Sequence, residues 1–180
     1  MESVLSKKQF RSNAIKARDA VTDRGRKSEI IAQKLRDTEV YKNARVVLCY
    51  ASYKSEVETD RIISNARKDG KKVALPRVEG DRMEFYYIDS MKDTVVSYMG
   101  IREPSDNCSK VTDIEAALVV VPGTSFDINL KRNGNGGGFY DRYLSEHSEA
   151  VAVGIAFKEQ VYEEIPHEEY DVKMDLIVTD

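Results

Sequence analysis

The chain has no tryptophan, two cysteines, two histidines and no apolar run of membrane-spanning length in its 180 residues. Each shortage excludes something. Cys49 lies inside an apolar run and Cys108 in a polar stretch, neither with a partner at metal-ligand spacing. Disulfide and zinc frameworks are therefore excluded, and reduced thiols in a cytoplasmic protein are expected. The start, MESVLSKKQF, lacks the apolar segment of a secretory leader. A net charge of −3 argues against general affinity for nucleic acid or membrane surfaces. Both histidines, His147 and His167, read as surface residues. The two best-known nucleotide loops are also missing: no Lys-Ser/Thr follows the glycines, and their spacing does not give G-x-G-x-x-G in a βαβ setting.

What is present describes one globular domain over residues 1–180, with 41% hydrophobic and 33% charged residues. Ser6-Lys7-Lys8-Gln9 is a capping box, opening a helix whose apolar stripe is Phe10, Ala14, Ala17 and Val21. Residues 3–18 hold Lys7, Lys8, Arg11, Lys16 and Arg18 and no acid. Lys7 and Arg11, four apart, share a helix face where two cations repel unless an anion lies nearby. That face is either plainly solvated or it closes over a polyphosphate. Thr22 or Ser28 starts a second helix with Ile30, Ile31, Leu35 and Val40 inward. Arg45–Ala51 reads as a buried strand, and the loop after it carries Glu56. Thr59 caps a helix ending at Gly70, residues 72–76 form a strand stopped by Pro76, and residues 83–88 form another, paired antiparallel. Residues 89–113 are polar and irregular. Residues 139–147 and 158–164 read as helices, and 150–157 and 175–179 as strands. Apolar, non-alternating strands between helices predict an α/β fold, a mostly parallel central sheet with helices on both faces.

The stretch 119–144, VVVPGTSFDINLKRNGNGGGFYDRYL, is the most informative. An apolar run ends at Pro122-Gly123, a polar loop carries Asp127, Lys131 and Arg132, and Gly134, Gly136, Gly137 and Gly138 precede a helical pattern beginning at Phe139. Bare backbone amides ahead of a helix N-terminus suit a phosphate. Arg132 adds a planar cation that holds phosphoryl oxygens in pairs. Asp141 is a hard oxygen ligand of the kind Mg²⁺ takes beside phosphates. Glycine clusters are also common as surface turns; the arginine before and the aspartate after distinguish this one.

The whole pattern resembles the 5-formyltetrahydrofolate cyclo-ligases, also called 5,10-methenyltetrahydrofolate synthetases. The resemblance is carried by Lys7–Arg11, Glu56–Thr59, Val73–Pro76, Pro122-Gly123 with Phe126-Asp127, Arg132, the run Gly134–Arg142, Ile165-Pro166, Asp171 and Asp175–Thr179. The glycine block ending in Tyr-Asp-Arg is the specific part. The resemblance implies an ATP- and Mg²⁺-dependent closure of 5-formyltetrahydrofolate to 5,10-methenyltetrahydrofolate. It implies that Lys7, Lys8, Arg11, Arg132, Asn133, Gly134, Asn135, Gly136, Gly137, Gly138 and Tyr140 bind ATP, with Arg132, Phe139 and Tyr140 at the reacting centre. Glu56, with Asn135 to Phe139, would hold the reduced folate, and Asp141 and Asp171 the Mg²⁺. Partners other than that small molecule are not implied: no nucleic acid, no membrane, and a monomer or weak homodimer. Leu130, Asn133 and Asn135 depart from the family pattern, which leaves open an ATP-using ligase of the same fold for another formylated or amide substrate. A non-catalytic binding protein is disfavoured by Arg132 and the two aspartates.

Overall fold

The computed structural model describes residues 6–180. Residues 1–5, which enter the leader-free and basic-run expectations, lie outside the described residues. The elements in chain order are α1 (Lys7–Asp19), α2 (Arg24–Asp37), α3 (Glu39–Asn43), β1 (Val46–Leu48), α4 (Asp60–Lys68), β2 (Lys72–Glu79), β3 (Arg82–Ile88), β4 (Thr94–Val96) and β5 (Arg102–Pro104). They continue with β6 (Ala117–Val121), β7 (Ser125–Asp127), β8 (Arg132–Asn133), α5 (Phe139–Glu146), β9 (Val151–Ala156), β10 (Val161–Tyr162) and β11 (Leu176–Thr179).

Six strands form the central sheet in the order β11-β9-β6-β1-β2-β3, parallel except for β3. The non-alternating sequences follow from burial on both faces. Val47, Leu118, Val120, Val153 and Ile155 face one apolar cluster with Ile31 and Leu35 of α2 and Ile62 and Ile63 of α4. Val46, Leu48, Val119, Val121 and Ala152 face the other, with Tyr143 and Leu144 of α5, Phe85 and Phe126. The α/β expectation is borne out. No helix among the described residues is long and apolar enough to cross a membrane.

The chain leaves β1 toward β2 on one side, whereas β6, its neighbour on the other side, leads away toward β9. Connections that diverge from adjacent parallel strands open a crevice at their C-terminal ends, the usual ligand site of such sheets. The loop after β1 carries Glu56, and the loop after β6 begins at Pro122-Gly123.

Several local expectations differ from the structure for identifiable reasons. The Ser6–Gln9 capping box forms, but α1 buries Ala14 and Arg18, while Ala17 is exposed. Helix α2 starts at Arg24, because Ser28 is buried and accepts the Glu58 N–H at 3.0 Å. Val40 lies in the separate short helix α3, capped by Thr38. Strand β2 runs through Pro76, since its pairing with β1 stops at Ala74 and Pro76 faces only β3. A proline lacking its N–H is tolerated where no second strand asks for it. Residues 158–164 form one 3₁₀ turn and then β10, which pairs with β7, so that a small β10-β7-β8 sheet underlies the expected polar loop. Within residues 89–113, β4 and β5 form a hairpin.

Candidate active site

On one side of the crevice, the loop after β1 is fixed by its own side chains. The Tyr50 hydroxyl donates to the Val57 carbonyl at 2.9 Å, and Thr59 Oγ1 donates to the Tyr50 carbonyl at 2.7 Å. The Tyr53 N–H donates to Glu56 Oε2 at 2.8 Å. This frame holds the Glu56 carboxylate half-buried. Burial pushes its pKa above the usual carboxylate range, opposed by the Tyr53 N–H and by the charge of Arg18.

On the other side, β7 and β8 hold the glycine stretch in place. Asp127 is spent on local structure: Oδ1 accepts the Asn129 and Lys131 N–H groups and Oδ2 that of Ile165. Arg132, 3% exposed, donates through Nη1 to the Pro122 carbonyl and through Nη2 to Asp141 Oδ2, both at 3.0 Å. The bare loop is what admits such side chains. A Cβ on Gly134 would lie 2.7 Å from Arg132 Nη1, and one on Gly136 2.9 Å from Arg11 Nη1. Gly138, in the left-handed region at φ 67°, precedes α5, and Arg142 packs against it. Three guanidinium groups thus lie against Gly134, Gly136 and Gly138 of a single loop.

Helix α1 closes over these groups from the far end of the chain. Lys7 Nζ donates to Asp171 Oδ2 at 2.5 Å, and the Phe10 ring meets Tyr162 edge-on at 5.1 Å. Asp171 Oδ2 also accepts the Glu168 N–H at 2.8 Å, and the next residue, Val172, donates its N–H to Asp141 Oδ1 at 3.0 Å. Lys7, Arg11, Arg132, Asp141 and Asp171 are therefore brought together. Lys8 is exposed and makes no ion pair among the described residues, and Asn135 is exposed at the loop tip. Phe139 and Tyr140 begin α5, with the Arg132 guanidinium 5.7 Å from the Tyr140 ring centroid. Burial holds the Tyr140 hydroxyl well above its ordinary pKa, with the nearby Cys49 and Glu56 adding to the effect and Arg132 opposing it.

The polar accounting singles out this place. Among the described residues, the buried side-chain nitrogen and oxygen atoms without a hydrogen-bond partner are Arg11 Nε, Ser125 Oγ, Arg132 Nε, both amide atoms of Asn133, and the Tyr140 hydroxyl. All belong to the crevice or the small sheet beneath it. Buried polar groups are normally paired, so a concentration of unpaired ones marks where a polar ligand completes the set. Among the described residues no cluster of three or more metal-ligating side chains occurs. Asp141 and Asp171 are hard oxygen donors of the kind that would suit a Mg²⁺, although both Asp141 oxygens are engaged, by Arg132 and by the Val172 N–H. Both hydrogen bonds to the Asp171 carboxylate fall on one oxygen, Oδ2.

Ser125 and Arg18 join the site only in the folded chain. For Arg18 the signal existed: it lies four residues after Ala14, on the buried face of α1. Ser125 had none, since its burial depends on the β7–β8 pairing. A cavity of about 670 Å³ adjoins the Glu56 loop, lined by Ser52, Asp60, Val96, Gly100 and Arg102. A larger one, about 710 Å³, lies at the opposite end of the strands beside Arg67, Lys72 and Cys108.

Comparison with known proteins gives a consistent result. A family model described as the 5-formyltetrahydrofolate cyclo-ligase family matches residues 4–180. A probable 5-formyltetrahydrofolate cyclo-ligase of Schizosaccharomyces pombe is 35% identical over 156 residues, 77% of this chain and 76% of the relative. The 5-formyltetrahydrofolate cyclo-ligase of Mus musculus is 29% identical, with 87% and 83% covered. The NMR structure of Aquifex aeolicus 5,10-methenyltetrahydrofolate synthetase superposes with a TM-score of 0.83 at 30% identity, covering 97% of this chain and 90% of that one. A Mycoplasma pneumoniae 5,10-methenyltetrahydrofolate synthetase, at 21% identity, shares the fold with a TM-score of 0.78.

Proposed function

The chain belongs to the 5-formyltetrahydrofolate cyclo-ligase family, and from that premise we propose that it closes 5-formyltetrahydrofolate to 5,10-methenyltetrahydrofolate at the crevice between β1 and β6, using ATP. The observation that carries the assignment to this crevice is the set of unpaired buried groups on Arg11, Arg132, Asn133 and Tyr140, gathered under cations from both halves of the chain. A formamide oxygen is a poor leaving group. The γ-phosphoryl of ATP is transferred to it and ADP departs. The N10 amine then attacks the activated formyl carbon and loses its proton. The C–O bond breaks, and the former formyl oxygen leaves in inorganic phosphate. Such chemistry needs positioning and charge neutralisation more than a side-chain nucleophile, which accords with a site built of arginines and glycines.

In this reading Lys7, Lys8, Arg11, Arg132, Asn133 and the backbone of Gly134 to Gly138 hold the polyphosphate, with Tyr140 beside it. Arg132 neutralises charge on the moving phosphoryl group. Asp141 and Asp171 would hold Mg²⁺, which supplies charge neutralisation between phosphate oxygens. Glu56 accepts hydrogen bonds from the pterin, Asn135 to Phe139 line the folate, and the cavity between the Glu56 loop and the β4–β5 hairpin takes the rest of the folate. Tyr98 at the hairpin tip is fully exposed, with Met99 beside it, an apolar surface facing solvent until something covers it. The enzyme acts in the cytoplasm on a small molecule.

The test is spectroscopic. The near-ultraviolet absorbance of the methenyl product is expected from 5-formyltetrahydrofolate only when ATP and Mg²⁺ are both present. ATP hydrolysis without the chromophore would transfer the reading to another formylated or amide substrate, and binding without turnover would remove catalysis altogether.

Gly136→Ala tests the loop. At φ +105° an L-residue is strained, and its Cβ would press on Arg11 Nη1. Such strain costs roughly 1–3 kcal/mol. The Michaelis constant for ATP is expected to rise about tenfold or more, 1.4 kcal/mol being a factor of ten. Thermal unfolding should fall by only a few degrees, and an unchanged ATP constant in the variant would take Arg11 out of the nucleotide site.

A further inference from the structure

Arg18 is a buried cation to which the mechanism above gives no task. It is 6% exposed on α1, and its Nε donates to Ser55 Oγ at 3.0 Å and its Nη1 to the Gly123 carbonyl at 3.4 Å. Ser55 Oγ donates in turn to the Asp19 carboxylate. Among the described residues Arg18 makes no ion pair, although a charge taken out of water without a partner costs several kcal/mol. Its hydrogen bonds to Ser55 and Gly123 alone hold the charge there among the described residues.

Its two anchors indicate its use. Ser55 precedes Glu56 in the loop after β1, and Gly123 opens the loop after β6. Arg18 therefore spans the two lips of the crevice where the strand connections diverge. The charged and titratable groups facing Glu56 are Arg18 from α1, Tyr50 at the end of β1, and Tyr140 on α5 with Arg132 behind it. Both tyrosine hydroxyls are held neutral by burial, so Arg18 supplies the positive potential on the Glu56 side.

We propose that Arg18 is a positioning residue for the pterin, clamping the Ser55-Glu56 segment to Gly123 so that the Glu56 carboxylate stays aimed as an acceptor for the pterin donors. The inference rests on the reading of Glu56 as the pterin carboxylate. Its experiment therefore separates the two: the carboxyl titration of Glu56 is followed by carbon-13 NMR in ligand-free protein, and kcat/KM for 5-formyltetrahydrofolate is measured against pH. In Arg18→Met the Glu56 titration should move upward, and the acid limb of the folate profile should move with it by the same interval, lowering kcat/KM on the acid side. Arg18→Lys should restore most of both. Ser55→Ala, which keeps the buried charge but removes its anchor, should give a smaller shift in the same direction and serves if Arg18→Met does not fold. Glu56→Gln should abolish the acid limb and make the Arg18 substitution silent in it. A lowered melting temperature with the Glu56 titration unmoved in both Arg18→Met and Ser55→Ala would overturn the proposal, leaving Arg18 a structural residue. If the titration moves and the folate profile does not follow, the hold of Arg18 on Glu56 is upheld and the pterin assignment of Glu56 is what fails.

Discussion

Arg132→Ala is expected to lower kcat by about 10³-fold or more, the range seen when a charge-stabilising arginine is removed from phosphoryl transfer. The side chain is held before any ligand arrives: one Nη on the Pro122 carbonyl, the other on Asp141, and Gly123 and Gly134 leaving room for its stem and head. A group aligned in advance contributes most in the transition state, so kcat should fall more than the Michaelis constants rise. The alanine variant also strands Asp141. Breaking a buried pair from one side costs roughly 3–5 kcal/mol, and a lower melting temperature is expected with it. Arg132→Lys separates the effects. It keeps a charge near Asp141 and recovers part of the stability, but it lacks the planar fork and should still turn over about 10²-fold more slowly. Single-turnover kinetics on urea-titrated, folded samples read both quantities. A kcat within tenfold of the parent in folded Arg132→Ala would remove this residue from the mechanism.

Glu56→Gln should separate function from stability in opposite directions. Burial raises the carboxyl pKa of Glu56 in the folded protein, so the folded state binds this proton more tightly than the unfolded chain does. Between the ordinary carboxylate value and the raised one, stability therefore falls as pH rises, and the ionised side chain is a net cost at neutral pH. Glutamine removes that cost and still offers an oxygen to the Tyr53 N–H. The variant is expected to melt no lower than the parent at pH 7 to 8, and the parent should regain ground as pH drops toward 4. Its Michaelis constant for folate should rise about 10- to 100-fold, the loss of a hydrogen bond to a charged group, with that for ATP within about twofold. Thermal melts across pH and steady-state kinetics check this. An ATP-only defect, or a marked fall in melting temperature with folate kinetics intact, would contradict the assignment.

How much of this was legible in the chain depended on how local the signal was. The Ser6–Gln9 capping box, the run Ala117–Val121 and the glycine block before Phe139 each carry their structural instruction within a few residues, and each forms as expected. Strand β2 does not stop at Pro76, because a proline ends a strand only where a neighbour needs its N–H, and which neighbours β2 has is settled by pairing elsewhere. Residues 158–164 look helical in the sequence, but β7 recruits Val161-Tyr162 as a strand. The crevice itself was visible only in pieces. Nothing in the order of residues says that Ser55 and Gly123 lie on either side of one guanidinium, or that Ser125 faces Asn133 across a two-residue ladder.

Helix α1 is anchored with little grease. Its buried side chains are an alanine and an arginine, and its ties to the rest include Lys7 on Asp171, the edge of Phe10 on Tyr162, Arg11 beside Gly136, and Arg18 on Ser55 and Gly123. Contacts of that kind are individually modest, so this helix is expected to separate before the six-stranded sheet does. In the proposed reaction the same helix supplies the cations that clasp the polyphosphate. Uncovering the pocket and letting go of the spent nucleotide then become a single motion, with no separate door to open.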